Sequence, residues 1–232
     1  MKKKILTVFI VLGALVLLTG CEKKEETKKE EEIKTGGWEL NTSITNTIMR
    51  DEDEIFKKAV ANYSDMELEA IGYLGSQVVA GTNHMYLCKA TKDNKTNFKV
   101  VIIYQDLNGN TEVSKVSDFN IEDYVSTDID ANNEELTGGW AASSDCGENA
   151  LTEDEREMFS KATEHLSGVS YKPVATLATQ LVSGKNYAVL AVGVTATENP
   201  VYNIYVLTIY KDLSNNSKVT GIAALDLAKF NN

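Results

Sequence analysis

Histidine, cysteine, tryptophan and proline are all scarce in this chain, and each scarcity narrows what it can do. There are two His, His84 and His165, three Cys, two Trp and two Pro in 232 residues. Neither His stands in a motif with a carboxylate or a Cys, and no nucleophile elbow, phosphate loop or zinc-ligand spacing occurs. Enzymatic chemistry is therefore not expected, nor is a metal or cofactor. Basic residues are also in deficit: 23 Lys and Arg face 34 Asp and Glu, a net charge of −11. Such a chain has no electrostatic footprint for nucleic acid. Asp106-x-Asn108-x-Asn110 and Asp128-x-Asp130-x-Asn132 look like calcium loops. Both lack the Gly at loop position six and the Glu at position twelve, so they read as turn and linker.

The first residues are of another kind. Met1-Lys2-Lys3-Lys4 precedes an apolar run from Ile5 to Leu18, followed by Thr19-Gly20-Cys21. A basic start, a short apolar run and small residues before a cut describe a secretory signal. The run is shorter than the roughly 20 residues a spanning helix needs. The Cys after the small residues resembles a bacterial lipoprotein signal, which implies cleavage before Cys21 and lipid on that Cys. Residues 1–20 are then the signal peptide, and the protein faces the extracytoplasmic side, held to the cell membrane by its lipid. Residues 21–34 are nearly all Glu, Lys and Thr, too polar to bury anything, and read as a charged tether. The two remaining cysteines, Cys88 and Cys146, stand at non-equivalent places in the repeat described next. Secretion permits a bridge between them, but an unrepeated pair in a repeated chain is weak evidence for one, and a reduced pair is the favoured reading.

The chain is written twice. Gln77-Val78-Val79-Ala80-Gly81 returns as Gln180-Leu181-Val182-Ser183-Gly184. Gly36-Gly37-Trp38 returns as Gly138-Gly139-Trp140, and Tyr104-x-Asp106-Leu107 as Tyr210-x-Asp212-Leu213. Asp51 with Glu54, and Thr152 with Glu155, are capping-box patterns. Behind them Ile55, Phe56, Ala59, Val60 and Tyr63, and Met158, Phe159, Ala162 and Leu166, fall at helical spacing. After each pentapeptide come alternating segments that read as strands. In the first copy Met85 and Leu87 fall on one side, Tyr86, Cys88 and Ala90 on the other. Asn108-Gly109 marks a hairpin turn, and Pro173 belongs at an edge or a bulge. The expected organisation is a unit at 35–120, an acidic linker at 121–136 and a second unit at 137–232. Each unit reads as α+β, one helix packed on a four- to five-stranded antiparallel sheet.

The order helix, strand, Gln-x-Val-x-Gly, strand, strand, hairpin, strand resembles the cystatin family, reversible inhibitors of papain-like cysteine proteases. The resemblance covers both units. It implies two tandem cystatin-like domains and inhibition by non-covalent occlusion of a protease cleft. It assigns a binding arm to Gly36 and Gly37, with a tip at Gln77, Val78, Val79, Ala80 and Gly81. The second set is Gly138 and Gly139 with Gln180, Leu181, Val182, Ser183 and Gly184. The family's second hairpin carries Pro-Trp; Asp106–Asn110 and Asp212–Asn216 carry neither. The partner implied is a cysteine protease or other extracellular protein, met by a monomer. The alternative is a non-inhibitory adhesion or scaffold module that holds a protein, peptide or glycan. Trp38 and Trp140 read as core, and Tyr104, Tyr202, Tyr205 and Tyr210 as sheet faces rather than a sugar-binding strip. His84 and His165 read as satisfied or solvated.

Overall fold

The computed structural model describes residues 36–43, 48–125, 139–143 and 151–231. Cys21, the signal and tether segments, most of the linker, Gly138 and Cys146 lie outside the described residues. In the first half, β1 (Trp38–Leu40) and helix α1 (Arg50–Val60) precede β2 (Glu67–Val79), β3 (Gly81–Lys92), β4 (Lys95–Gln105) and β5 (Thr111–Asp118). A 3-10 turn follows at Ile121–Asp123. The second half repeats the order with β6 (Ala141–Ala142), α2 (Glu153–Thr163), β7 (Val169–Val182), β8 (Gly184–Thr195), β9 (Tyr202–Lys211) and β10 (Ser217–Ala224). A 3-10 turn at Leu227–Phe230 ends it. Each half forms one antiparallel sheet with its strands in sequence order, β1-β2-β3-β4-β5 and β10-β9-β8-β7-β6.

Helix α2 starts as its capping box dictates. The Thr152 hydroxyl accepts from the Glu155 amide, and the Glu155 carboxylate accepts from the Thr152 amide at 2.9 Å. Helix α1 does not use its own. It begins at Arg50 with Met49 at the N-cap and no side-chain cap bond. Asp51 sits two positions past the N-cap, where with Glu52 and Asp53 it complements the positive end of the helix. Pro173 lies in β7 at a register shift between Pro173 and Ala175. β6 reaches only Ala178 and Thr179, so Pro173 stands both at a bulge and on an uncovered edge, the places where Pro is tolerated in a sheet.

The expectation of two α+β units, each a helix on its own sheet, requires correction. The described residues are mostly β, with two five-stranded sheets and, among those residues, only two helices of 11 residues. The central strands explain why. A strand with a helix on one face and water on the other alternates buried and exposed residues. Here Met85, Tyr86, Leu87 and Cys88 are all fully buried, as are Ala188–Ala191. Both faces are covered. Tyr86 and Cys88 lie with Phe56 and Ala59 of α1, together with Tyr73, Val101 and Ile103. Met158, Phe159 and Ala162 of α2 cover Val189, Ala191, Leu207 and Ile209. The opposite faces make one core common to both halves, with Leu74, Met85, Leu87, Val100 and Ile102 against Leu177, Ala188, Leu190, Ile204 and Val206. A Cβ placed on Gly72 would meet Leu190 at 3.9 Å. The alternation in the sequence is a division between two buried environments, not between core and solvent.

The terminal segment of the second half adds to this shared core. Leu225, Leu227 and Phe230 are buried in it beside Phe119 and Tyr124 of the first half. The Phe119 and Tyr124 rings stack at 4.7 Å, Lys115 donates to the Phe230 carbonyl at 3.0 Å, and the Trp38 indole N–H donates to Asn231 Oδ1 at 2.5 Å.

Candidate functional site

The two pentapeptides are the tips of very tight hairpins. β2 runs to Val79 and β3 resumes at Gly81, so Ala80 alone turns the chain, as Ser183 does between Val182 and Gly184. Such a turn needs backbone angles and space that only Gly has. Gly81 and Gly184 stand at φ +130° and +123°. A Cβ on Gly81 would lie 2.3 Å from the Gln105 carbonyl oxygen and 2.8 Å from the Tyr104 ring. On Gly184 it would lie 2.5 Å from the Lys211 carbonyl and 2.9 Å from the Tyr210 ring. The same tyrosines brace the tips. Tyr104 donates to the Ala80 carbonyl and Tyr210 to the Ser183 carbonyl, each at 2.5 Å.

The glutamines are also part of the framework. Gln77 Oε1 accepts from Asn83 Nδ2, and Gln77 Nε2 donates to the Gly36 carbonyl, both at 2.9 Å. This ties the arm to the hairpin. The Gly36 amide adds a bond to the Val78 carbonyl at 3.2 Å, and Trp38 pairs with Gln77 as β1 begins. Gln180 is buried and accepts from Asn186 Nδ2 at 2.9 Å. In the second half Ala141 pairs with Thr179, which brings exposed Gly139 up to the same level. Gln and Gly of the motif are therefore accounted for by the hairpin itself. The apolar residues are not: Val78, Val79 and Leu181 are exposed, Leu181 to 73%.

A third element stands beside each tip. β4 ends at Gln105, the cross-strand partner of Thr82, so the turn Asp106–Asn110 leaves the sheet beside the tip. The Asp106 carboxylate clamps this turn. Its Oδ1 accepts from the Asn108 and Asn110 amides at 2.8 and 2.9 Å, and Oδ2 from Asn110 Nδ2 at 2.8 Å. Asp212 repeats this with Ser214 and Asn216, all at 2.8 Å. These bonds favour the ionised form and hold both carboxyls below their ordinary pKa, the Asn110 and Asn216 side chains contributing most. The calcium-loop likeness of Asp106-x-Asn108-x-Asn110 thus has a plain basis, since the carboxylate is engaged by its own turn. At the head of each clamped turn stands a leucine, Leu107 or Leu213, exposed to 86% and 85%. These two leucines and the bracing tyrosines were not read as site residues from the sequence. The signal was present: Tyr-x-Asp-Leu recurs in both halves.

In the first half, arm, tip and clamped turn thus meet at one end of the sheet, and they display Val78, Val79 and Leu107. The second half shows Leu181 and Leu213 from the matching places. No family model matches the chain, and a search of curated proteins finds no match. What the edge can do is read from its chemistry alone. It has no nucleophile and base in contact, and no group of His, Cys, Asp and Glu able to hold a metal occurs among the described residues. It is a preformed apolar ridge on a hydrogen-bonded frame. Trp38 and Trp140 do not take part as exposed anchors; both are half-buried against the shared core.

Away from the edge, Cys88 is a free thiol buried beneath α1, and burial pushes its pKa well up. His84 is buried in β3 with Nδ1 3.2 Å from the Tyr73 hydroxyl, and burial lowers its pKa. His165 is exposed beside Glu164.

Proposed function

We propose that the protein is a lipid-anchored, extracytoplasmic inhibitor that occludes the cleft of papain-like cysteine proteases without forming a covalent bond. The observation that carries this reading is the meeting of arm, tip and clamped turn at one end of the first sheet, with Val78, Val79 and Leu107 exposed on them. Exposed apolar side chains gathered at one place, rather than scattered singly, are the mark of an interaction surface. Here each sits on a frame fixed by side-chain hydrogen bonds, so docking orders little that is not already ordered. In this reading Leu107 and Leu213 supply the apolar contact that the Pro-Trp hairpin supplies in cystatins, whose inhibitory mode the pentapeptides imply. The lipid on Cys21 and the 21–34 tether would hold the edge outside the cell.

A second reading, an adhesion or scaffold module, has its own observation. Gln77, Gly81 and their copies are explained by the hairpin alone, so their recurrence needs no protease. Inhibition kinetics separate the two. Purified protein is titrated against several papain-like proteases, alone and with Val79→Asp plus Leu107→Asp, or Leu181→Asp plus Leu213→Asp. These exposed positions are better probes than the tip glycines, whose replacement breaks the hairpin. The inhibitor reading expects reversible inhibition at micromolar concentration or below, weakened at least about tenfold by one of the pairs. No inhibition of any of the enzymes would leave the scaffold reading.

A further inference from the structure

The two tips are built alike but are ringed by different charges. Three positions around them are equivalent in sheet register. Thr82 pairs with Gln105 beside the first tip, and Lys185 with Lys211 beside the second. One strand further out, Glu112 pairs with Tyr104, and Lys218 with Tyr210. The first set carries one negative charge and the second three positive charges, in a chain whose net charge is −11.

Strand pairing does not call for the lysines. Like charges directly opposite on neighbouring strands destabilise it, and Lys185 faces Lys211 in that way. None of the three forms an ion pair among the described residues; Lys185 and Lys218 instead lie over the rings of Tyr187 and Tyr210, at 4.9 and 5.7 Å. Lys211 lines a groove with Asp154, Glu157 and Lys161 of α2; Glu157 is ion-paired with Lys161 at 2.7 Å, and Lys211 adds a weaker pull on the same carboxylate. Those acids are common to both halves, since Asp51 and Glu54 hold the matching places in α1. The lysines are what differ.

We infer that the second tip docks on protein clefts rimmed with carboxylates, while the first docks on neutral or basic ones, so that one chain addresses two classes of partner. This rests on the tips being docking elements. Charges at the rim of an interface act mainly on association rate and on the choice of partner, and salt screens them. At the second tip they surround Leu181 and Leu213, so an acidic rim would be drawn to the apolar contact. An acidic rim approaching the first tip would meet Glu112 and no cation at these positions.

The test uses the whole protein and two reciprocal triple variants. Lys185→Thr, Lys211→Gln and Lys218→Glu give the second tip the first tip's residues; Thr82→Lys, Gln105→Lys and Glu112→Lys do the reverse. Decaglutamate, a stand-in for a carboxylate rim, is titrated by NMR. It should shift the amides of 181–186 and 211–218 but not those of 78–83, lose the effect in the first variant and gain it at 78–83 in the second. Equal shifts at both tips, no shifts, or shifts that survive loss of the lysines would overturn the inference. In parallel, association with a papain-like protease of acidic cleft rim is timed at low and high salt. The second tip should slow about tenfold with salt, and the lysine-free variant hardly at all. If no protease binds, the inhibitor reading falls while the peptide titration still decides the charge selection.

Discussion

Replacing Gly81 with alanine tests how the first tip is built. The new Cβ would stand 2.3 Å from the Gln105 carbonyl oxygen and 2.8 Å from the Tyr104 ring, closer than real atoms come. The contact at Gln105 is with backbone, so β4 must shift. Three costs follow. The left-handed backbone, at φ +130°, strains an L-residue by about 1–2 kcal/mol. The Tyr104 bond to Ala80 is lost, about 1 kcal/mol, and so is about one ladder hydrogen bond of the Thr82–Gln105 pair, a similar amount. The total is about 3–4 kcal/mol. Gly109 supplies the control. It has φ +82° and no atom within 4 Å of a built Cβ, so Gly109→Ala carries the strain alone, about 1–2 kcal/mol. The difference of about 2 kcal/mol corresponds to roughly 1 M in urea midpoint at an m-value of about 2 kcal/mol per M. Equilibrium urea unfolding of both variants measures it. Amide exchange at residues 81–83 shows whether the tip frays before the rest. If Gly81→Ala proves no more costly than Gly109→Ala by either measure, close packing of Gln105 and Tyr104 does not dictate glycine at the tip.

Further outcomes follow from other parts of the molecule. Leu74→Ala or Leu177→Ala, each in the core shared by the sheets, should cost about 2–5 kcal/mol and move a single unfolding transition, seen alike by probes in either half; two separate transitions would contradict the shared core. His84 has its pKa lowered by burial, so the unfolded chain binds the proton more readily. Stability should be full above about pH 6.5 and fall as pH drops below it towards the folded pKa. His84→Gln should flatten that part of a urea-midpoint profile, and an unchanged profile would refute the assignment. Asp106 and Asp212 have depressed pKa values, so their clamps should hold above about pH 4 and release as pH falls through the folded values. The amide shifts of Asn110 and Asn216 should report this, and Asp106→Asn should abolish the acid-linked change at Asn110 alone.

Much of the order of elements was legible because the residues that fix it are local. Thr152 and Glu155 cap α2 through bonds three residues apart, and Asn108-Gly109 turns β4 into β5. The tips were legible through duplication. The layer arrangement was not. Tyr86 and Cys88 alternate with Met85 and Leu87, but no single strand says that its second face meets another sheet rather than water. Leu107 and Leu213 were missed for a related reason. A Leu within a polar turn reads as half-buried until the Asp106 and Asp212 clamps are seen to project it outward. The bracing of Ala80 by Tyr104 spans 24 positions, a separation at which sequence pattern is silent.

The face that each sheet turns towards the other bears on how such a chain is made. During synthesis the first half emerges with Leu74, Met85, Leu87, Val100 and Ile102 uncovered until β7 to β9 exist to meet them. A nascent first half is therefore adhesive, and two such halves from neighbouring chains could cover each other before their own second halves arrive. The partner each sheet needs is a near-copy of itself, so the fold carries the geometry of a swapped pair. Covalent continuity makes the correct partner the nearest one, and the interval between the emergence of the two halves sets the time in which a wrong pairing can form.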